Sequence, residues 1–176
     1  DEGHVVNTSS LNGLWASLGP TIPHTAYSAG KFAVRGFSEA LITDFRINAP
    51  HLRVSVVMPG HVGTSIAINS SKAHGRDPRE LTAEQLEQTR QQLAKSGLDV
   101  AGTSDDELRQ LLIAQAESFR DDAPLTAAAA VEIILAGVRA DEWRILVGDD
   151  VTFIDQLVRA NPRGAYEPDF ITGSLV

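Results

Sequence analysis

The sequence predicts an α/β fold built on a parallel sheet. Two short, mostly apolar runs, residues 4–8 and 52–58, have the composition of strands that are covered on both faces. Between them, apolar residues recur with helical periodicity over residues 26–47. A strand, a crossover helix and a second strand form the unit from which parallel sheets are built.

Composition limits the class of protein. The chain has 176 residues, 43% of them hydrophobic, which suits one compact domain. It has no cysteine, so a reducing, cytoplasmic location is expected. The net charge of −8 disfavours nucleic acid as a partner, and no apolar run is long enough to predict a membrane partner. The five histidines are scattered without metal-ligand spacing, so no metal site is predicted.

The first half of the chain divides clearly. Serine and glycine after the first strand predict a loop, which two prolines and a glycine extend through residues 14–25. Phe32, Phe37 and Phe45 lie on the apolar stripe of the long helix, and Pro50 ends it. The second strand then runs into a Gly/Pro break at residues 59–60.

Residues 66–78 are polar and are predicted to be irregular. Thr82 with Gln85, and Ser104 with Glu107, have capping-box spacing and predict helices over residues 82–95 and 104–120. Their wide polar faces favour surface helices or a lid, so residues 66–122 are interpreted as a substrate-loop or lid insertion.

The C-terminal part predicts three further elements and a tail. Residues 124–140 form a strong helix pattern with Thr126 at its N-cap, and residues 143–148 read as a third strand. A last helix is predicted over residues 150–160, followed by an irregular tail over residues 161–176.

Three groups of side chains are expected at one edge of the sheet. Ser9 and Ser10 end the first strand, Tyr27 and Lys31 lie one turn apart at the start of the helix, and the break at residues 59–60 ends the second strand. A phenol keeps its proton at neutral pH, whereas a nearby ammonium favours the phenolate. A serine hydroxyl beside this pair can orient a carbonyl or alcohol oxygen. Such a site moves a proton at oxygen while a cofactor exchanges hydride at carbon.

The segments "HVVNTSS", "AYSAGKFAVRGFSEAL" and "LRVSVVMPGHVGTS" resemble the classical short-chain dehydrogenase/reductase family, in order and in wording. The resemblance is specific over residues 5–65. It implies a Rossmann-type, doubly wound parallel sheet. It also implies an NAD- or NADP-dependent oxidoreductase that interconverts an alcohol and a ketone or aldehyde.

The resemblance assigns a role to each residue of the site. Tyr27 is expected to be the catalytic acid/base, and Lys31 to favour its phenolate and bind the nicotinamide ribose. Both residues are therefore expected to contact the cofactor. Ser10 is the expected substrate-orienting serine, with Ser9 as the second candidate. Tyr27 follows Ser10 by 17 positions, several more than is usual in the family.

The segment after the second strand is expected to contact the nicotinamide. Pro59, Gly60, Val62 and Thr64 match the family's loop around that ring, with Val62 contacting the carboxamide through its backbone.

The family's phosphate-binding loop has no counterpart, because no G-x-x-x-G-x-G occurs in the chain. The resemblance therefore implies the C-terminal catalytic portion of such an enzyme, with the dinucleotide-binding half missing from this chain. The 176 residues alone are expected to bind NAD(P) weakly and to be inactive.

Two other functions are weighed against this reading. A non-catalytic assembly or interaction module would keep the fold and use the acidic helices as its partner surface. A serine hydrolase built on Ser10 is disfavoured, because G-x-S-x-G and an ordered His/Asp partner are lacking. Self-association into a dimer or tetramer is predicted through the helix over residues 27–47.

Overall fold

The computed structural model describes residues 1–17 and 24–171. The predicted loop over residues 14–25 and the tail lie partly outside these described residues. The elements follow one another in this order: β1 (Gly3–Thr8), a 3-10 turn (Leu11–Gly13), α1 (Thr25–Asn48), β2 (Leu52–Pro59), β3 (Val62–Gly63), α2 (Ile66–Ala73), α3 (Ala83–Lys95), α4 (Asp105–Asp121), β4 (Leu125–Thr126), α5 (Ala127–Arg139), β5 (Arg144–Val147) and α6 (Asp149–Ala160).

The main sheet has the order β1-β2-β5. Both of its pairings are parallel, with Thr8 opposite Val57 and Pro59 opposite Val147. The central strand β2 is buried from Val54 to Met58, as its nearly continuous apolar run requires. The predicted α/β fold with a parallel sheet is thus confirmed.

The chain divides into two compact units. One comprises Asp1–Val62 with Ala127–Val176, and the other comprises Gly63–Thr126. No helix within the described residues is both long and apolar enough to cross a bilayer.

The first unit has a core on one face of the sheet that includes Met58 and Val151. The segment after α6 closes this core, because Ala165 and Phe170 are buried in it. Trp15 packs on Phe170 with ring centroids 5.7 Å apart. Its indole Nε1 also donates to the carbonyl oxygen of Ala165 at 2.6 Å. The described part of the predicted irregular tail is therefore packed, although it forms no helix or strand.

The second unit is helical and has a small core of its own, formed by Leu81, Leu86 and Leu108. Both predicted capping boxes are present, with Thr82 starting α3 and Ser104 starting α4. The short strands β3 and β4 pair at the two ends of this segment.

One sequence prediction in this region was wrong. Residues 66–73 form the helix α2, although residues 66–78 were predicted to be irregular. Ser65 precedes α2 without a side-chain capping bond, so the usual signal for a helix start is missing. Thr126, the predicted N-cap of α5, lies in β4 and directly precedes the first residue of α5.

Candidate active site

The N-terminal turn of α1 packs against the end of β1 and brings two predicted residues together. Lys31 is half-buried, and its Nζ donates to the carbonyl oxygen of Thr8 at 3.2 Å. The same nitrogen lies 5.5 Å from the centroid of the Tyr27 ring. Tyr27 is 44% exposed, so its phenol faces solvent rather than core. The pair is thus held by the strand on one side and open on the other.

The two serines after β1 have different environments. Ser9 is 2% exposed, and its hydroxyl donates to the Lys31 carbonyl oxygen at 2.8 Å. Ser10 caps the 3-10 turn, because its Oγ accepts from the backbone N–H of Asn12 at 3.2 Å. The hydroxyl proton of Ser9 is therefore used within the fold. Among the described residues, the Ser10 hydroxyl has one hydrogen bond, in which it accepts.

A glycine allows this close packing of turn against helix. A Cβ added to Gly13 would lie 2.9 Å from the Lys31 carbonyl oxygen and would overlap the Ser9 hydroxyl. Any side chain at Gly13 would therefore push the turn away from α1 and displace the contact between Ser9 and Lys31.

Sequence reasoning missed Asn12 and Ser28, which link Ser10 to the start of α1. The Asn12 side-chain amide donates to Ser28 Oγ at 3.3 Å, and Ser28 donates to the carbonyl oxygen of Ala16 at 3.2 Å. Ser28 follows Tyr27 directly, so this network fixes the turn that presents the phenol. Spacing could not have revealed it, because the two residues are 16 positions apart.

The loop after β2 lies at the same edge of the sheet. The Ser9 N–H donates to the Val57 carbonyl oxygen at 2.8 Å, which places the ends of β1 and β2 side by side. Beyond Pro59, the Gly60 N–H bonds the Val147 carbonyl oxygen at 3.0 Å. The next N–H, that of His61, donates to a carboxylate oxygen of Asp150 at 2.6 Å. Asp150 is a further residue at this edge that sequence reasoning missed.

The predicted site residues are thus only partly assembled. Ser10, Tyr27 and Lys31 gather at the end of β1. Pro59 ends β2 at that edge, and Gly60 and Val62 follow it. Within residues 1–17 and 24–171, no direct hydrogen bond joins Ser10 to Tyr27 or Lys31. Thr64 belongs to the second compact unit. The described residues contain no cluster of three His, Asp or Glu side chains that could hold a metal ion.

Comparison with known sequences shows what the site-bearing segment is similar to. The sequence profile of the short chain dehydrogenase family matches residues 1–75, which hold every predicted site residue. The sequence of residues 1–75 is therefore similar to that of short-chain dehydrogenases.

Individual proteins also match part of the chain. The oxidoreductase SadH of Mycobacterium tuberculosis is 45% identical over 76 residues, which is 43% of this chain and 26% of the relative. Dehydrogenase/reductase SDR family member 11 of Homo sapiens is 35% identical over 83 residues, or 47% of this chain and 30% of the relative. A 3-ketodihydrosphingosine reductase of Bacteroides thetaiotaomicron is 38% identical over 68 residues, or 38% and 23%. The chain thus matches less than a third of each relative's length.

The fold of the chain also has a solved counterpart in this family. A short chain dehydrogenase/reductase from Burkholderia phymatum, solved in complex with NAD, matches with a TM-score of 0.51 at 20% identity. The match covers 96% of this chain and 50% of that structure. The similarity shows that the chain shares the fold of that structure over almost its whole length.

Proposed function

We propose that the chain carries the catalytic part of an NAD(P)-dependent oxidoreductase that interconverts an alcohol with a ketone or aldehyde. One observation carries the proposal. An exposed tyrosine and a half-buried lysine lie together at the carboxyl edge of a parallel sheet, with Lys31 Nζ 5.5 Å from the Tyr27 ring. Ligands of open α/β sheets bind at this edge.

In this proposal, Tyr27 moves the proton. Its phenolic oxygen gives a proton to the carbonyl oxygen during reduction and takes one from the alcohol during oxidation. The ammonium of Lys31 stabilises the phenolate by Coulombic attraction. Ser10 donates its hydroxyl proton to the same substrate oxygen and orients it. Its position after β1 and its accepting role toward Asn12 support this assignment over Ser9.

The residues present fit a nicotinamide nucleotide, NAD or NADP. An ammonium has three N–H donors, and Lys31 uses one of them on Thr8, which leaves donors for ribose hydroxyls. Pro59, Gly60, Val62 and Thr64 are assigned to the nicotinamide loop, and Tyr27 and Lys31 to the ribose. When bound, the nicotinamide supplies or accepts the hydride. The reductase names of the relatives and the NAD bound to the structural counterpart support this assignment.

The proposal also covers the enzyme's substrate, location and oligomeric state. We assign a small-molecule alcohol or ketone as substrate, residues 66–122 as the insertion that shapes specificity, and a cytoplasmic, homo-oligomeric state. The resemblance of residues 5–65 to the family is the basis for these assignments.

Replacing Tyr27 by phenylalanine tests the chemistry. Tyr27→Phe removes one proton-carrying oxygen and little volume, so kcat should fall by about 10²–10⁴-fold while dinucleotide affinity stays nearly unchanged. The assay is oxidation of NADH or NADPH by the full-length protein with a panel of ketones. Tyr166→Phe, at the chain's other tyrosine, is the matched control. It removes a hydroxyl that accepts the Ala16 N–H at 3.3 Å and should keep most of the wild-type turnover. Equal turnover in wild type and Tyr27→Phe would rule out the assigned chemistry.

Replacing Lys31 by alanine tests its double role. Lys31→Ala removes both the charge that favours the phenolate and the donors for the ribose. It should therefore lower kcat and weaken dinucleotide binding together, unlike Tyr27→Phe. Steady-state kinetics and calorimetric titration measure the two effects separately. A Lys31→Ala protein with unchanged dinucleotide affinity would contradict the ribose assignment.

The same assays distinguish the enzyme from the alternative, a non-catalytic assembly module. Such a protein would bind neither NADH nor NADPH and would turn over no ketone, even in the wild type.

A further inference from the structure

The carboxylate of Asp150 lies in a narrow space between two glycines. A Cβ added to Gly60 would overlap both carboxylate oxygens of Asp150. On the other side, a Cβ on Gly148 would lie 2.5 Å from Asp150 Oδ1. Gly148 also has φ 118°, a backbone conformation that other residues rarely adopt. The Asp150 carboxylate therefore fits in this place only because both residue 60 and residue 148 lack a side chain.

Asp150 is set apart from its neighbour at the start of α6. Asp149 and Asp150 are both in the first turn, where the helix dipole favours negative charge. Asp149 is exposed, whereas Asp150 is half-buried and accepts the His61 N–H at 2.6 Å. Hydrogen bonds to an ionised carboxylate are shorter and stronger than neutral ones. The favourable interaction with the helix dipole applies to both carboxylates, but the bond to the loop after β2 is made by Asp150.

This bond extends the ordered backbone beyond the end of the sheet. The parallel ladder ends with the Gly60 N–H on the Val147 carbonyl oxygen. Asp150 then holds the next N–H, that of His61, directly before Val62. Without the carboxylate, the backbone between Gly60 and Val62 would lose this anchor.

We propose that Asp150 is a positioning residue whose carboxylate fixes the backbone of residues 60–62 for contact with the nicotinamide cofactor. The inference rests on the proposed function of this loop. A backbone fixed before binding loses less conformational entropy when the cofactor binds, so the anchor should increase affinity. Asp150 itself acts through the loop and has no assigned contact with the reacting atoms.

The test compares Asp150→Ala with Asp149→Ala in the full-length protein. Amide hydrogen exchange reports on residues 60–62, and calorimetric titration gives the dissociation constants of NADH and NADPH. Asp150→Ala should speed exchange at these amides by about tenfold or more and weaken binding of the preferred dinucleotide by about tenfold. Asp149→Ala removes the same charge from the same helix turn and should leave both within about twofold.

Two further variants separate positioning from general destabilisation. Asp150→Asn keeps an oxygen that can accept the His61 N–H, so it should restore most of the protection from exchange. Gly60→Ala should disturb the loop strongly in the wild type and less in the Asp150→Ala background, where the overlapping carboxylate is gone. A double-mutant cycle on exchange rates measures this coupling. Additive effects would contradict the close contact between Asp150 and Gly60.

Equal exchange in Asp150→Ala and Asp149→Ala would overturn the anchoring role. Faster exchange with unchanged dinucleotide affinity would overturn the link to the cofactor. If the wild-type protein bound neither NADH nor NADPH, the proposed function would be wrong, and so would the role of Asp150 in cofactor binding. The exchange comparison would still decide whether Asp150 holds the loop, so the two failures are distinguishable.

Discussion

Asp155 on α6 lies between two arginines. Arg144 donates to both of its carboxylate oxygens at 3.0 Å, and Arg159 Nε lies 2.9 Å from one of them. Burial of Asp155 acts to raise its pKa, but the hydrogen bonds from Arg144 and Arg159 outweigh burial and lower the pKa below its usual range. The carboxylate therefore stays ionised although its residue is only 5% exposed.

Removing this carboxylate should destabilise the fold and change its response to acid. Asp155→Ala leaves the Arg144 charge uncompensated, and we expect a loss of about 3 kcal/mol in unfolding free energy at pH 7. A carboxyl group whose pKa is lowered by folding stabilises the protein above its unfolded pKa of about 3.9. That stability disappears as the pH falls through the lower folded pKa. Denaturant unfolding between pH 7 and pH 2 should thus show a weaker acid dependence in Asp155→Ala.

The isosteric Asp155→Asn variant is the control that separates charge from shape. It should lose the same part of the acid dependence while keeping the volume of the side chain. An acid dependence equal to that of the wild type in Asp155→Asn would contradict the pKa argument.

For single residues, the sequence predicted the contacts between side chains that are close together along the chain. Tyr27 and Lys31 are four positions apart on one helix, so their proximity follows from helical geometry alone. Asp150 meets His61 across 89 positions. That contact depends on β5 lying next to β2, which only the folded sheet provides.

Among the elements, α4 depends visibly on its N-cap. Ser104 Oγ accepts from the Glu107 N–H, and the Glu107 carboxylate accepts from the Ser104 N–H at 2.8 Å. Ser104→Ala should destabilise α4 by about 1 kcal/mol and speed amide exchange in its first turn. Ser70→Ala, at an exposed position inside α2, is the control and should change little. Equal exchange of the α4 amides in wild type and Ser104→Ala would show that the cap is dispensable.

Element boundaries were predictable where a recognisable signal stands at each end. Strand β5 and helix α1 were placed within one residue of their observed ends, because turn residues and a proline flank them. Helix α2 was missed, since its sequence "IAINSSKA" has neither a side-chain cap nor a strong apolar stripe. Tertiary contacts rather than local preference decide such a segment.

For the whole molecule, α1 presents large apolar side chains to solvent. Phe37 is 61% exposed and Ile47 is 71% exposed, while buried Ser38 marks the opposite face. We predict that copies of the protein associate through this face. Phe37→Asp should shift the wild-type oligomer to smaller species in sedimentation, whereas Ile66→Asp on α2 should not. A wild-type protein that sediments as a monomer at high concentration would contradict the prediction.

The packing of Trp15 gives the molecule an internal optical reporter. The chain has two tryptophans, of which Trp15 is 4% exposed and Trp143 is 45% exposed. A buried indole fluoresces at shorter wavelength than a hydrated one, so in Trp143→Phe the emission comes from Trp15 alone. Because Trp15 is hydrogen-bonded to Ala165 and packs at a tilted angle against Phe170, its emission should move to longer wavelength when the C-terminal segment detaches. Fluorescence would thus report the release of that segment.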